Sequence, residues 1–104
     1  MAVFLSYTYY MSHFVYIVRC ADKTLYTGYA TDVKKRIAEH NDEGSSPTAK
    51  SVGAKYTRSR RPVKLVYNEE CESRSTALSR EYAIKQLSRE QKQVLIKETK
   101  QKNK

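Results

Sequence analysis

Hydrophobic and polar positions along this chain fall into short blocks whose period changes from block to block. Residues 14–20 (Phe-Val-Tyr-Ile-Val-Arg-Cys) are β-branched and aromatic, a composition that favours a strand. The polar connection Ala21-Asp22-Lys23-Thr24 separates them from a second such run, Leu25 to Tyr29, so the two predict a hairpin. Gly28 within the second run signals a bulge or a close approach of backbone. The period then becomes helical. Thr31 or Asp32 supplies an N-cap for a helix over 32–41, with Val33 and Ile37 as its buried stripe. Arg36 and His40 are also one helical turn apart and share a face beside that stripe.

From Asn41 to Arg61 the chain is polar and rich in Gly, Ser and Pro, which predicts a loop with one helical turn near 47–52. Val63 to Tyr67, broken by Lys64, predicts a third strand after Pro62. Ser73 or Ser75 caps a helix to about Ser88, with Ala77, Leu78, Ile84 and Leu87 as its apolar stripe. A last helix over 89–98 buries Val94 and Leu95. The order β-β-α-β-α-α predicts a small α/β (α+β) domain, a mainly antiparallel three-stranded sheet flanked by helices. Residues 13–98 form that domain, 1–12 an N-terminal extension outside the fold, and 99–104 a polar tail.

Composition narrows the picture. A chain of 104 residues, 39% apolar and 30% charged, supports one domain with a small core. Cys20 and Cys71 are far apart and form no C-x-x-C pair, which argues against zinc or a disulfide framework and for a reducing cytoplasm. No apolar run approaches the ~18 residues of a membrane span, and residues 2–10 lack the basic start of a signal peptide. The formal net charge is +9 and the pI near 9.6, which points to a polyanionic partner, most often nucleic acid.

Glu81 is the sharpest oddity of pattern. It falls four residues after Ala77 and three before Ile84, on the stripe that faces the core. A carboxylate there needs a partner: a divalent cation, a neighbouring Arg or Lys, or water at the stripe's edge. Tyr16 and Tyr26 lie on adjacent strands. They are ordinary core tyrosines or, beside a metal and an arginine, phenolates able to take a proton from water. Arg36 is suited to gripping a phosphate and His40, one turn on, to relaying a proton; the alternatives are an exposed helix arginine and a C-terminal histidine favoured by the helix dipole. His13 has no partner at metal-ligand spacing and reads as a surface residue. Lys50, Lys55, Arg58, Arg60 and Arg61, with Tyr56 among them, form a basic segment suited to a phosphate backbone and a stacked base, or a merely solvated charge run. No Walker A, G-x-G-x-x-G, H-E-x-x-H or Ser-His-Asp pattern is present.

Taken together, Val15-Tyr16-Ile17, Tyr26-Thr27-Gly28, the helix with Arg36 and His40, and Leu78-Ser79-Arg80-Glu81-Tyr82-Ala83-Ile84-Lys85 resemble the GIY-YIG nuclease family over most of residues 13–98. The length and the run Ile84-Lys85-Gln86-Leu87 look most like its small stand-alone bacterial members, the UPF0213 group. The resemblance implies a three-stranded antiparallel sheet flanked by helices and a one-metal endonuclease acting on DNA. Tyr16 would be the general base assisted by His40, and Tyr26 would position water or phosphate. Arg36 would bind the scissile phosphate, and Glu81 would hold one Mg²⁺ or Mn²⁺. Two positions depart from the motifs: Phe14 or Val15 replaces the first glycine, and Thr27 replaces the second motif's isoleucine. Without an attached targeting module, specificity would come from the basic segment, a homodimer or a partner protein. A vestigial site in a nucleic-acid-binding module is the alternative.

Overall fold

The computed structural model describes residues 12–41 and 57–102. Within them the elements are β1 (His13–Arg19), β2 (Leu25–Ala30), α1 (Val33–His40), β3 (Lys64–Cys71), α2 (Arg74–Lys85) and α3 (Arg89–Lys102), with a 3₁₀ turn at Arg58–Arg60 before β3. The three strands form one antiparallel sheet in the order β2-β1-β3, flanked by the helices as expected. The extension at the N-terminus, the helical turn near 47–52, and Lys50, Lys55 and Tyr56 lie outside the described residues.

β1 is the central strand, which explains its apolar content: Val15, Tyr16, Ile17 and Val18 are all buried. Successive side chains point to opposite faces. Val15 and Ile17 pack with Tyr67, Cys71, Ala77, Ile84 and Ile96, beneath α2 and α3. Tyr16 and Val18 pack with Cys20, Ala30, Val33 and Val63, beneath α1. The β1–β2 turn closes with the Cys20 N–H donating to the Thr24 carbonyl at 2.9 Å. Asp22 accepts from the Thr24 N–H at 3.1 Å, and Lys23 takes the left-handed conformation at φ 71°.

Side-chain caps fix the helix starts. Asp32 accepts from the Lys35 N–H and Ser73 from the Thr76 N–H, each at 3.0 Å. Ser88 ends no helix; it begins α3 through a reciprocal capping box. Its hydroxyl accepts from the Gln91 N–H at 3.1 Å, and the Gln91 side-chain Oε1 accepts from the Ser88 N–H at 2.8 Å. Asn41 ties the end of α1 to the approach to β3. Its amide donates to the Val63 carbonyl at 3.1 Å, and its oxygen accepts from the Val63 N–H at 2.7 Å.

Several expectations are corrected. β3 continues four residues past Tyr67, to Cys71, because the polar positions there find partners: Glu69 accepts from Tyr67 Oη and, at 3.0 Å, from Arg80 Nε. Ile96, not Val94, is the buried residue of α3; Val94 is 55% exposed, because each residue turns about 100° around the helix. Leu78 lies at the exposed edge of α2. His13 is not a bare surface residue, since its Nδ1 is 2.9 Å from Tyr29 Oη and the two rings stack.

Thr27 is 2% exposed, and its hydroxyl has no hydrogen-bond partner among the described residues. Replacing an unsatisfied buried hydroxyl by a methyl group of similar shape removes a desolvation cost. Thr27→Val is expected to stabilise the fold by about 1 kcal/mol in urea denaturation. Unchanged or lower stability would show that the hydroxyl is satisfied.

Candidate active site

The site is built on the α1 face of the sheet. Tyr16 on β1 is opposite Gly28 on β2, and Tyr26 and Gly28 share its face by alternation. A Cβ added at Gly28 would lie 2.5 Å from Tyr16 Oη and 2.6 Å from its Cζ, closer than atoms can approach. Gly28 therefore makes the room in which the Tyr16 ring lies across the neighbouring strand. No bulge occurs at Gly28; the irregularity is in the β1–β3 pairing, between Ile17 and Val18.

His40 comes to Tyr16 from above. It continues the buried stripe of α1, following Val33 and Ile37 at helical spacing, and it is fully buried rather than set on a face beside them. His40 Nε2 is 2.8 Å from Tyr16 Oη, and Nδ1 is 2.9 Å from Thr57 Oγ1. The Tyr26 ring meets the His40 ring edge-on, with centroids 5.5 Å apart. Arg61 Nε donates to the His40 carbonyl at 2.9 Å, which anchors the chain entering β3 to the end of α1.

Arg36 and Glu81 complete the cluster through their charges. Burial, first of all, pushes the Tyr16 phenol well above the usual tyrosine range; Tyr26, Glu81 and Glu39 add to that rise, and Arg36 opposes it. Burial also raises Tyr26, with Glu81 adding to the rise and Lys85 and Arg36 opposing it. Tyr16 and Tyr26 are therefore within electrostatic reach of Arg36 and Glu81 and in direct contact with His40. Arg36 acts toward the phenolate, but burial outweighs it, so with the arginine alone and no metal ion Tyr16 holds its proton at neutral pH.

Glu81, Arg36 and Arg60 each face a counter-ion. The Glu81 side chain is 17% exposed and pairs with Lys85 Nζ at 3.2 Å; it sits at the wet edge of its stripe with a lysine partner. Arg36 Nε faces Glu39 Oε1 at 3.6 Å. In the basic segment, Arg60 Nε pairs with Asp22 at 3.1 Å, and Arg61 serves the fold as described above. Arg58 opens the 3₁₀ turn. Among the described residues no group of His, Cys, Asp and Glu forms a multi-ligand metal cage. The donor set at Glu81 is one carboxylate at the edge of the core, which fits a divalent ion that keeps most of its hydration.

Sequence reading missed Thr57, Glu39 and Lys85. Lys85 had a signal, an i, i+4 position toward Glu81. Glu39 is i+3 from Arg36. Thr57 is 17 residues from His40, and no local periodicity connects them.

Gly28→Ala tests the packing. In open space the change would gain about 0.5–1 kcal/mol from reduced chain freedom. Here the expected outcome is destabilisation of about 1–3 kcal/mol, with the Tyr16 ring signals shifted in NMR spectra. Stabilisation with unmoved Tyr16 signals would refute the close approach.

Comparison with known proteins agrees with this architecture. The family model described as the GIY-YIG catalytic domain matches residues 12–94. A UPF0213 protein of Desulfotalea psychrophila is 58% identical over 84 residues, covering 81% of this chain and 70% of that protein. One from Staphylococcus aureus is 55% identical over 87 residues, covering 84% and 96%. The solution NMR structure of a UPF0213 protein from Bacillus halodurans matches at 39% identity and TM-score 0.51, over 84% of each chain. That of an E. faecalis protein matches at 36% identity and TM-score 0.54, over 85% of each chain. With the sheet, the paired tyrosines and a family match across most of its length, this chain belongs to the GIY-YIG nuclease family, as a UPF0213-like member.

Proposed function

We propose that this protein is a metal-dependent endonuclease that hydrolyses DNA phosphodiester bonds in the cytoplasm, in repair or recombination. The observation that carries the reading is the buried 2.8 Å contact between Tyr16 and His40, with Arg36 and Glu81 in reach. The net charge of +9 supports a polyanionic substrate. The buried, unpaired Cys20 and Cys71 suit a reducing compartment, and among the described residues no helix is long and apolar enough to cross a membrane.

The chemistry follows from the residues. A protonated Tyr16 cannot accept a proton from water unless it gives up its own. His40 Nε2 is at hydrogen-bond distance to receive it. As water attacks phosphorus, Tyr16 Oη takes the water proton and passes its own to His40, so the pair acts as one base at neutral pH. Arg36 would bind a non-bridging phosphate oxygen and offset charge that develops in the transition state. Tyr26, half-buried against His40, would orient the water or the phosphate. Glu81 would hold the divalent ion, whose charge would stabilise the leaving oxyanion. Lys85 would have to release Glu81 for that ion. In the basic segment, Lys50, Lys55, Tyr56, Arg58, Arg60 and Arg61 would follow the backbone of the nucleic acid.

The test is cleavage of a panel of single-stranded, duplex, mismatched and branched DNA with Mg²⁺ or Mn²⁺. Glu81→Ala is expected to reduce cutting by about 10²-fold or more while leaving salt-sensitive binding intact. Cutting that survives Glu81→Ala would remove the metal role of Glu81. Binding without cutting on every substrate would favour a binding module with a vestigial site, or an enzyme that needs a homodimer or partner protein.

A further inference from the structure

Thr57 is fully buried, sits outside the family motifs, and meets the one nitrogen of His40 that does not face Tyr16. Its placement bears on a question the Tyr16–His40 contact leaves open: which ring nitrogen carries the proton. A neutral imidazole has one N–H and one lone pair, and only the nitrogen with the lone pair can accept a proton from Tyr16.

The hydrogen-bond geometry around Tyr16 answers it. Tyr16 is 2% exposed, and among the described residues its hydroxyl has a single hydrogen-bond partner, His40 Nε2. If Nε2 carried the ring proton it would donate to the phenol oxygen, and the phenolic O–H would then have no acceptor among the described residues. A buried donor without an acceptor is costly, so the phenol donates and Nε2 accepts. The ring proton is then on Nδ1. A threonine hydroxyl can accept it, and Thr57 Oγ1 is 2.9 Å away.

We propose that Thr57 is a positioning residue, which accepts the Nδ1 proton of His40 and so holds the lone pair of Nε2 on Tyr16. The hydroxyl fixes both the tautomer and the tilt of the ring, as a hydrogen-bonded partner on the far nitrogen does for histidines at other sites. The placement also joins the site to the basic segment. Thr57 immediately precedes the 3₁₀ turn at Arg58–Arg60, and Arg61 donates to the His40 carbonyl, so the chain bearing these arginines grips His40 through its side chain and its backbone.

Tautomer and activity give independent tests. Long-range ¹H–¹⁵N correlation spectra of ¹⁵N-labelled, metal-free protein near neutral pH read the tautomer of His40 directly. The expected wild-type result is Nδ1 protonated and Nε2 bare. Thr57→Val, which removes the acceptor and keeps the shape, is expected to abolish that single-tautomer pattern, and Thr57→Ser to restore it. The role in cleavage rests on the function proposed above. There, Thr57→Val is expected to lower the rate about 10-fold and move the pH profile, with Thr57→Ser near wild type. A wild-type His40 with its proton on Nε2, or a folded Thr57→Val protein with the wild-type tautomer, would overturn the proposal. If Thr57→Val does not fold, the wild-type spectrum and Thr57→Ser still decide it. The expected tautomers in a protein that cuts no DNA would leave the positioning role standing and count against the nuclease reading alone.

Discussion

A hydrogen bond between two buried side chains, Tyr16 Oη and His40 Nε2 at 2.8 Å, is the constraint around which this small domain is arranged. It joins the middle of the central strand to the last residue of α1, and both partners are almost wholly removed from water. A polar pair in such a place is tolerable only if each group is satisfied, because an unmet donor or acceptor there would cost more than the pair contributes. The surroundings supply that condition. Gly28 leaves the space for the phenol across the strand, Val33 and Ile37 bring α1 down onto the sheet, and Thr57 meets the far side of the imidazole.

The charges are placed by the same scaffold and stay at its edge. Arg36 is on the same helix as His40, one turn earlier, and is partly exposed. Glu81 comes from α2, three residues before the fully buried Ile84, with its carboxylate at the margin of the core. Neither is buried alone: Glu39 faces the arginine and Lys85 the carboxylate. The result is a buried tyrosine–histidine pair flanked by Arg36 and Glu81, which lie at the edge of the core. For phosphodiester hydrolysis this separates the two tasks. Under the proposed function, proton movement would take place between groups whose geometry burial fixes, while phosphate and a metal ion would be met by groups that can still exchange partners.

Much of this was legible in the sequence, for reasons that differ from element to element. β1 was clear because a central strand is apolar on both faces, and the hairpin because a polar connection separates two β-branched, aromatic runs. Glu81 stood out because a carboxylate on an apolar stripe conflicts with its surroundings, although the pattern left open whether a metal, a lysine or water was its partner. The far half of β3 was hidden, since Asn68, Glu69 and Glu70 are polar and their pairing depends on β1 and on Arg80 of α2. The depth of His40 was misjudged because Val33 and Ile37 alone fix the axis of the stripe only loosely; a third point, seven residues after Val33, is the histidine itself. Thr57 was beyond reach, because a contact across 17 residues leaves no trace in local spacing.

The central claim is that burial keeps Tyr16 protonated and bound to His40, so that the two act as one base. The most direct measurement is the pH titration of the Tyr16 ¹³Cζ signal by NMR in the folded protein. A tyrosine in water ionises near ~10. The folded phenol is held above that value, chiefly by burial, so Tyr16 is predicted to stay protonated as pH rises through 10. Because the unfolded chain would lose that proton first, stability should fall over the same range. Ionisation of Tyr16 at or below the ordinary tyrosine value, with the fold intact, would contradict the account.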